Sequence, residues 1–72
     1  MAATLTTHDG RELPVRICDL SGSGFRIEHQ GELLAGDRVW LKADRHGPVP
    51  AQIRWALGGE AGGLFLEPTE LS

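Results

Sequence analysis

Apolar and polar residues alternate every second position through most of this chain, the period of a strand with one buried face. "RELPVRICDL" is the clearest run: Leu13, Val15 and Ile17 point one way, and Glu12, Pro14 and Arg16 the other. "GFRIEH" repeats it, with Phe25 and Ile27 inward and Arg26 and Glu28 outward. "RVWLKA" sets Val39 and Leu41 on one face, and "VPAQIRWAL" sets Val49, Ala51, Ile53 and Trp55 against Gln52 and Arg54. "AATLTT" before these is β-prone through its threonines, and "LFLEP" after them reads as a last short strand. Between the runs lie turn signals: "HDG", the loop "QGELLAGDR" with a turn at Gly36–Asp37, "DRHGP", and "GGEAGG" as a flexible turn. No stretch carries a helical period, and the tail "TELS" is too short for a helix. The expectation is all-β: a small six-stranded antiparallel barrel, closed because closure removes the exposed edges of a small open sheet. Its predicted core is Leu13, Val15, Ile17, Phe25, Ile27, Val39, Leu41, Ile53, Trp55 and Phe65.

Length narrows the function. At 72 residues the chain reads as a single domain over 1–72. A domain this size buries only about 60% of the surface of its unfolded chain, leaving no room for a deep catalytic cavity. The formal net charge of −3 argues against a nucleic-acid binder, which carries a basic patch for phosphates. Cys18 is the lone cysteine, so no internal disulfide forms, which fits a reducing compartment. No apolar run is long enough to insert in a membrane, and "MAATLTTHDG" lacks the regions of a signal peptide. A cytoplasmic domain is expected.

Enzyme chemistry is not expected. His8, His29 and His46 are expected in separate turns, and with one cysteine there is no metal-ligand spacing. No glycine-rich loop leads into a helix, which excludes the common phosphate-cradling and dinucleotide motifs. Cys18 reads as a small filler rather than half of a Cys–His pair. No cofactor is implied. The stretch "DLSGSG", Asp19 to Gly24, is different. An ionised Asp offers two acceptor oxygens, matched to the N1–H and exocyclic amine of guanine, and a Ser hydroxyl can donate to a phosphate. Glycines let backbone approach a flat ligand. The same residues also make ordinary turns, Asp and Ser through side-chain-to-backbone bonds and Gly through positive φ.

Read in context, "ICDLSGSGFRIE" carries D-x-S-x-x-G ahead of an apolar strand, "LLAGDRVWLK" carries Gly-Asp-x-Val, and "AQIRWALGGEAGGLFL" carries an Arg-Trp strand followed by glycines and a Phe-containing strand. In this order and spacing the chain resembles PilZ domains, bacterial receptors for cyclic di-GMP built on a six-stranded antiparallel barrel. The resemblance implies that Asp19, Ser21 and Gly24 form the family's second ligand motif, on the barrel surface against guanine and phosphate. The family's first motif, R-x-x-x-R ahead of the first strand, has no counterpart in these 72 residues, since Arg11 and Arg16 are five apart and follow that strand. Arg16 and Arg26, on outward faces, are the candidates to supply positive charge, with Arg54 on a similar face. Two expectations follow. Either the paired arginines lie upstream of Met1, or the chain is a degenerate member with weak ligand binding that acts as a protein-interaction scaffold. Trp40, between Arg38 and Lys42 and opposite in facing to Val39 and Leu41, is the candidate partner anchor; the alternative is that side-chain stems or the N-terminal strand cover it.

Overall fold

The computed structural model describes residues 1–67. They form six strands: β1 (Ala2–Thr7), β2 (Glu12–Leu20), β3 (Gly24–His29), β4 (Arg38–Ala43), β5 (His46–Leu57) and β6 (Glu60–Phe65). The strands close into an antiparallel barrel in the order β1-β2-β3-β6-β5-β4, so no edge is left unpaired. There is no helix among the described residues. The expected all-β barrel is the fold.

Alternation fills the interior. Leu5, Ile27, Val39, Leu41, Ala51, Ile53 and Ala61 are fully buried, with Val15, Ile17 and Phe25 nearly so. Leu13 and Phe65 pack against this core while half-buried, and Phe65 meets Phe25 with ring centroids 5.3 Å apart. Leu33 is buried although it belongs to the loop between β3 and β4. That loop is held to β5 by Gly36 N–H donating to Ile53 O at 2.7 Å and Ile53 N–H donating to Asp37 O at 2.9 Å. The β1–β2 hairpin turns on Thr7, whose buried hydroxyl oxygen accepts the Arg11 N–H at 3.0 Å and donates to the Asp9 carboxylate.

Three expectations need correction, and each has a local cause. Trp55 is not in the core; it is 42% exposed. A bulge between Ile53 and Trp55 places two steps of β5 against one of β6, pairing Ile53 with Gly63 and Trp55 with Gly62. One extra residue turns the next side chain to the other face. The last strand is Glu60–Phe65, not "LFLEP", and the turn shrinks to Gly58–Gly59, both at positive φ. Pro68, the end of that expected strand, lies outside the described residues. Glycines argue against a strand because they pack nothing, but here their missing side chains make room. A Cβ on Gly62 would overlap the Trp55 indole, and one on Gly63 would lie 2.7 Å from both Phe25 Cζ and Gln52 O. Finally, "DRHGP" is not all turn: β5 begins at His46, and Asp44, at φ 55°, with Arg45 makes the whole reversal.

Candidate functional site at the turn between β2 and β3

Strict alternation along β2 would send Asp19 inward after Leu13, Val15 and Ile17. A bulge at Cys18 prevents this. Ile17 pairs with Ile27, and the next pair is Asp19 with Arg26, so Asp19 and Arg26 stand side by side on the outer surface. The Asp19 side chain is 70% exposed and accepts Arg26 Nε–H at 2.8 Å. Arg26 reaches the other way too, donating through Nη1 to Glu60 on β6 at 2.9 Å. The hydrogen bond that Arg26 donates to Asp19, followed by the one it donates to Glu60, holds the guanidinium pKa above its ordinary value.

The turn itself is organised by Ser21. Its hydroxyl accepts the Gly24 N–H at 3.1 Å and the Ser23 N–H at 3.3 Å, while Ser21 N–H donates to Gly24 O at 2.9 Å. These are the bonds of a serine turn; the hydroxyl proton has Gly24 O at 3.4 Å and Ser23 Oγ at 3.2 Å as acceptors, and it has to leave them to meet a ligand. Gly24 is not needed for positive φ. It is needed because a Cβ there would stand 2.5 Å from Gly63 O, a backbone atom that cannot move aside alone. Asp19, Ser21, Gly24 and Arg26 line one shallow hollow of about 410 Å³, with Leu20 and Phe25.

Arg16 is not part of that group. It pairs with Glu28 across the β2–β3 ladder, donating to one carboxylate oxygen from Nη2 at 2.6 Å and from Nε at 2.9 Å. The Glu28 hydrogen bond and charge raise its pKa. Both line a larger hollow of about 830 Å³, beside the Gly58–Gly59 turn. Size favours that hollow as a site, and in both hollows the arginine is already held by a carboxylate, but the smaller one gathers the motif residues. The motif hollow is therefore the better candidate. His29 also lines the larger hollow, and its two ring nitrogens are buried with no hydrogen-bond partner. Trp40 is half-buried, set between Thr6 of β1 and Pro50 of β5, so the N-terminal strand does border it.

The residue missed from the sequence is Trp55. The ladder runs Asp19 to Arg26 to Gly62 to Trp55 across β2, β3, β6 and β5. Because Gly62 has no side chain, the indole lies over the gap, next in the row to Arg26. The only sequence signal was glycine at Gly62 and Gly63, in a segment otherwise fit for a strand.

A profile of the PilZ domain family matches residues 2–71, nearly the whole chain. The chain belongs to the PilZ domain family. A search among curated proteins returns no match. PilZ domains are receptor-type binding domains of cyclic di-GMP signalling rather than enzymes, and the closed barrel above is their fold. Among the described residues of this PilZ domain, no cluster of three potential metal ligands occurs, and no helix is long and apolar enough to cross a membrane.

Proposed function

We propose that this PilZ domain takes cyclic di-GMP on the outer face of β2, β3 and β6, and that its role is to pass the ligand's presence to a protein partner. The observation that carries the reading is the Cys18 bulge, which turns Asp19 out into one hollow with Ser21, Gly24 and Arg26. In this reading the free edge of the Asp19 carboxylate accepts the guanine N1–H and amine. Arg26 meets phosphate once it leaves Glu60, the Ser21 hydroxyl donates to phosphate, and Gly24 keeps the turn low enough for a flat base to approach. Trp55 forms an apolar wall at the end of the row.

Charge limits the affinity. Among the described residues Arg26 is the only cation lining the hollow, and two carboxylates already hold it. The 72-residue chain is therefore a weak receptor by itself. Met1 N donates to Ile17 O at 3.3 Å and Ile17 N–H to Met1 O at 2.7 Å, so a segment joined ahead of Met1 would emerge beside the bulge and Asp19. The test is a cyclic di-GMP titration followed by backbone amide shifts, on this chain and on one extended with R-x-x-x-R ahead of Met1. Two added guanidinium groups at about 1.5–3 kcal/mol each raise affinity by roughly two to four decades. Shifts should centre on residues 19–26, and Ser21→Ala should weaken binding and, because the turn loses the acceptor of two backbone N–H groups, lower stability by about 0.5–1.5 kcal/mol. No binding by the extended chain would overturn the receptor reading and leave a ligand-independent scaffold in its place.

A further inference from the structure

Among the described residues the ion pairs are Arg11 with Asp9, Arg16 with Glu28, and Arg26 with both Asp19 and Glu60. All but the last join side chains that line one and the same hollow. Arg26 lines the motif hollow, while Glu60 lines the larger one of about 830 Å³, so the 2.9 Å bond between them crosses the border of the two. Whatever takes Arg26 on one side therefore changes the charge on the other.

Across that border the strands set two carboxylates against each other. Glu28 of β3 stands directly opposite Glu60 of β6, a placement that repels unless cations compensate it. Arg16 compensates Glu28, and Arg26 compensates Glu60. Arg16 puts both its bonds on Glu28 Oε1, so Oε2 has no protein partner among the described residues. Without Arg26, two carboxylates would share the one guanidinium of Arg16. The molecule already shows what two carboxylates on neighbouring strands can hold: Arg26 bridges Asp19 of β2 and Glu60 of β6 at 2.8 and 2.9 Å. A planar guanidinium with five donors makes such a bridge, and the compact ammonium of lysine does not reproduce it. The Gly58–Gly59 turn beside the carboxylates carries no side chain to block entry. His29 lines the same hollow with two ring nitrogens that lack a partner, and once its ring turns, the lone pair of the neutral form accepts from a guest that is all donors.

We propose that the Arg26–Glu60 pair is a switch between two sites: when cyclic di-GMP draws Arg26 off, Glu60 and Glu28 take up an arginine side chain of the partner protein in the larger hollow. The coupling rests on the cyclic di-GMP reading above; the arginine site does not. Ligand and partner strengthen each other, because each competes for one half of the same ion pair.

The probe is acetyl-GSRSG-amide, with acetyl-GSQSG-amide as control. Both are titrated into the labelled chain and into Arg26→Gln, which frees Glu60 with no cyclic di-GMP present; melting curves check that each variant is folded. Shifts should centre on residues 28–30 and 58–60, with a dissociation constant on the order of 10 mM in the parent. Arg26→Gln should bind the arginine peptide about two- to fivefold more tightly. Adding Glu60→Gln should remove that gain, and Lys42→Gln, the same change of net charge on another wall, should not produce it. Equal affinity of parent and Arg26→Gln, a gain that survives Glu60→Gln, an equal gain in Lys42→Gln, or equal binding of the glutamine peptide would overturn the proposal, whether or not cyclic di-GMP binds. On the arginine-extended chain, saturating cyclic di-GMP should produce the same gain of about two- to fivefold, and the peptide should tighten cyclic di-GMP by that factor. Cyclic di-GMP that binds and leaves the peptide affinity unchanged would overturn the switch. Cyclic di-GMP that fails to bind, beside a peptide gain in Arg26→Gln, would overturn the receptor reading and leave the arginine site standing.

Discussion

The β2–β3 wall and the β4 wall carry the same kind of side chain and present opposite surfaces. On the first, Arg16 stands across from Glu28, and Arg26 sits between Asp19 and Glu60, so each guanidinium already has a carboxylate. On the second, Arg38 stands across from Gln52 and Lys42 from Thr4, neither of which carries charge. The number of arginines does not separate these walls. Strand register does, because it decides which side chain lies about 5 Å away across the ladder. A wall with satisfied cations has to be opened by its ligand, and opening it frees a carboxylate; a wall with unsatisfied ones has nothing to release. Exposed pairs are weak, so the opening is a modest barrier and not a lock.

The largest effect should come from the core on which both walls hang. Ile53 is fully buried, and Ile53→Ala should cost about 2–5 kcal/mol by thermal or denaturant unfolding. A variant that melts with the parent would show that β5 faces the other way, and the comparison would lose its frame. Next is Gly24→Ala on the motif wall. A methyl group 2.5 Å from Gly63 O forces β3 away from β6 and should cost about 1–3 kcal/mol, while Lys42→Ala on the opposite wall leaves the melting curve in place. Equal melting of both variants would mean that the two walls are equally tolerant.

Smaller effects sharpen the contrast of charge. Glu60→Gln removes one of the two carboxylates on Arg26 and makes the motif wall resemble the β4 wall. Cyclic di-GMP affinity, read on the arginine-extended chain, should rise by roughly two- to tenfold. An unchanged affinity would show that Glu60 does not hold the guanidinium back. The smallest effect lies in the β1–β2 hairpin, where a bond from Thr7 and then one from Arg11 hold the Asp9 carboxyl below its ordinary value of 3.8. A lowered folded-state pKa means that stability from Asp9 is fully present above the unfolded value and fades as pH falls through the folded one. Asp9→Asn should therefore melt slightly earlier than the parent at pH 7, and the gap should close as pH falls through and below the ordinary aspartate range. A gap that persists at low pH would assign the effect to the turn's shape rather than to its charge.

The alternation of "RELPVRICDL", "GFRIEH" and "RVWLKA" made three inward faces legible in the sequence, because inward facing there follows a simple period. It failed at Trp55, where facing depends on a bulge. A bulge is set by what lies on the partner strand, here Gly62, and leaves no mark in its own strand's composition. Leu33 was read as loop because its run has no period; it is buried where Gly36 and Asp37 of the loop bond to Ile53 of β5, and those bonds are tertiary. Among the candidate site residues, Asp19, Ser21, Gly24 and Arg26 were nameable from the sequence and do share a hollow. That Glu28 holds Arg16 away from them depends on which residues the ladder pairs, and one strand read alone does not contain that information.

The two bulges make the outer row a matter of phase. Each inserts half a period into its strand, once at Cys18 and once at Arg54, and the side chain just beyond each insertion, Asp19 or Trp55, changes sides. With strands in strict phase, a carboxylate and an indole would both point into a barrel whose interior already holds Ile27 and Ile53. Deleting one residue from β2 or β5 would then act on facing as a frameshift acts on codons, inverting a run of positions with no side chain redesigned. Substituting the exposed side chains cannot imitate that change, and in a scan of single mutants only a position under the row, such as Gly62, would report on what puts it outside. Anyone moving this surface onto another barrel has to carry over two phase shifts as well as the side chains they expose.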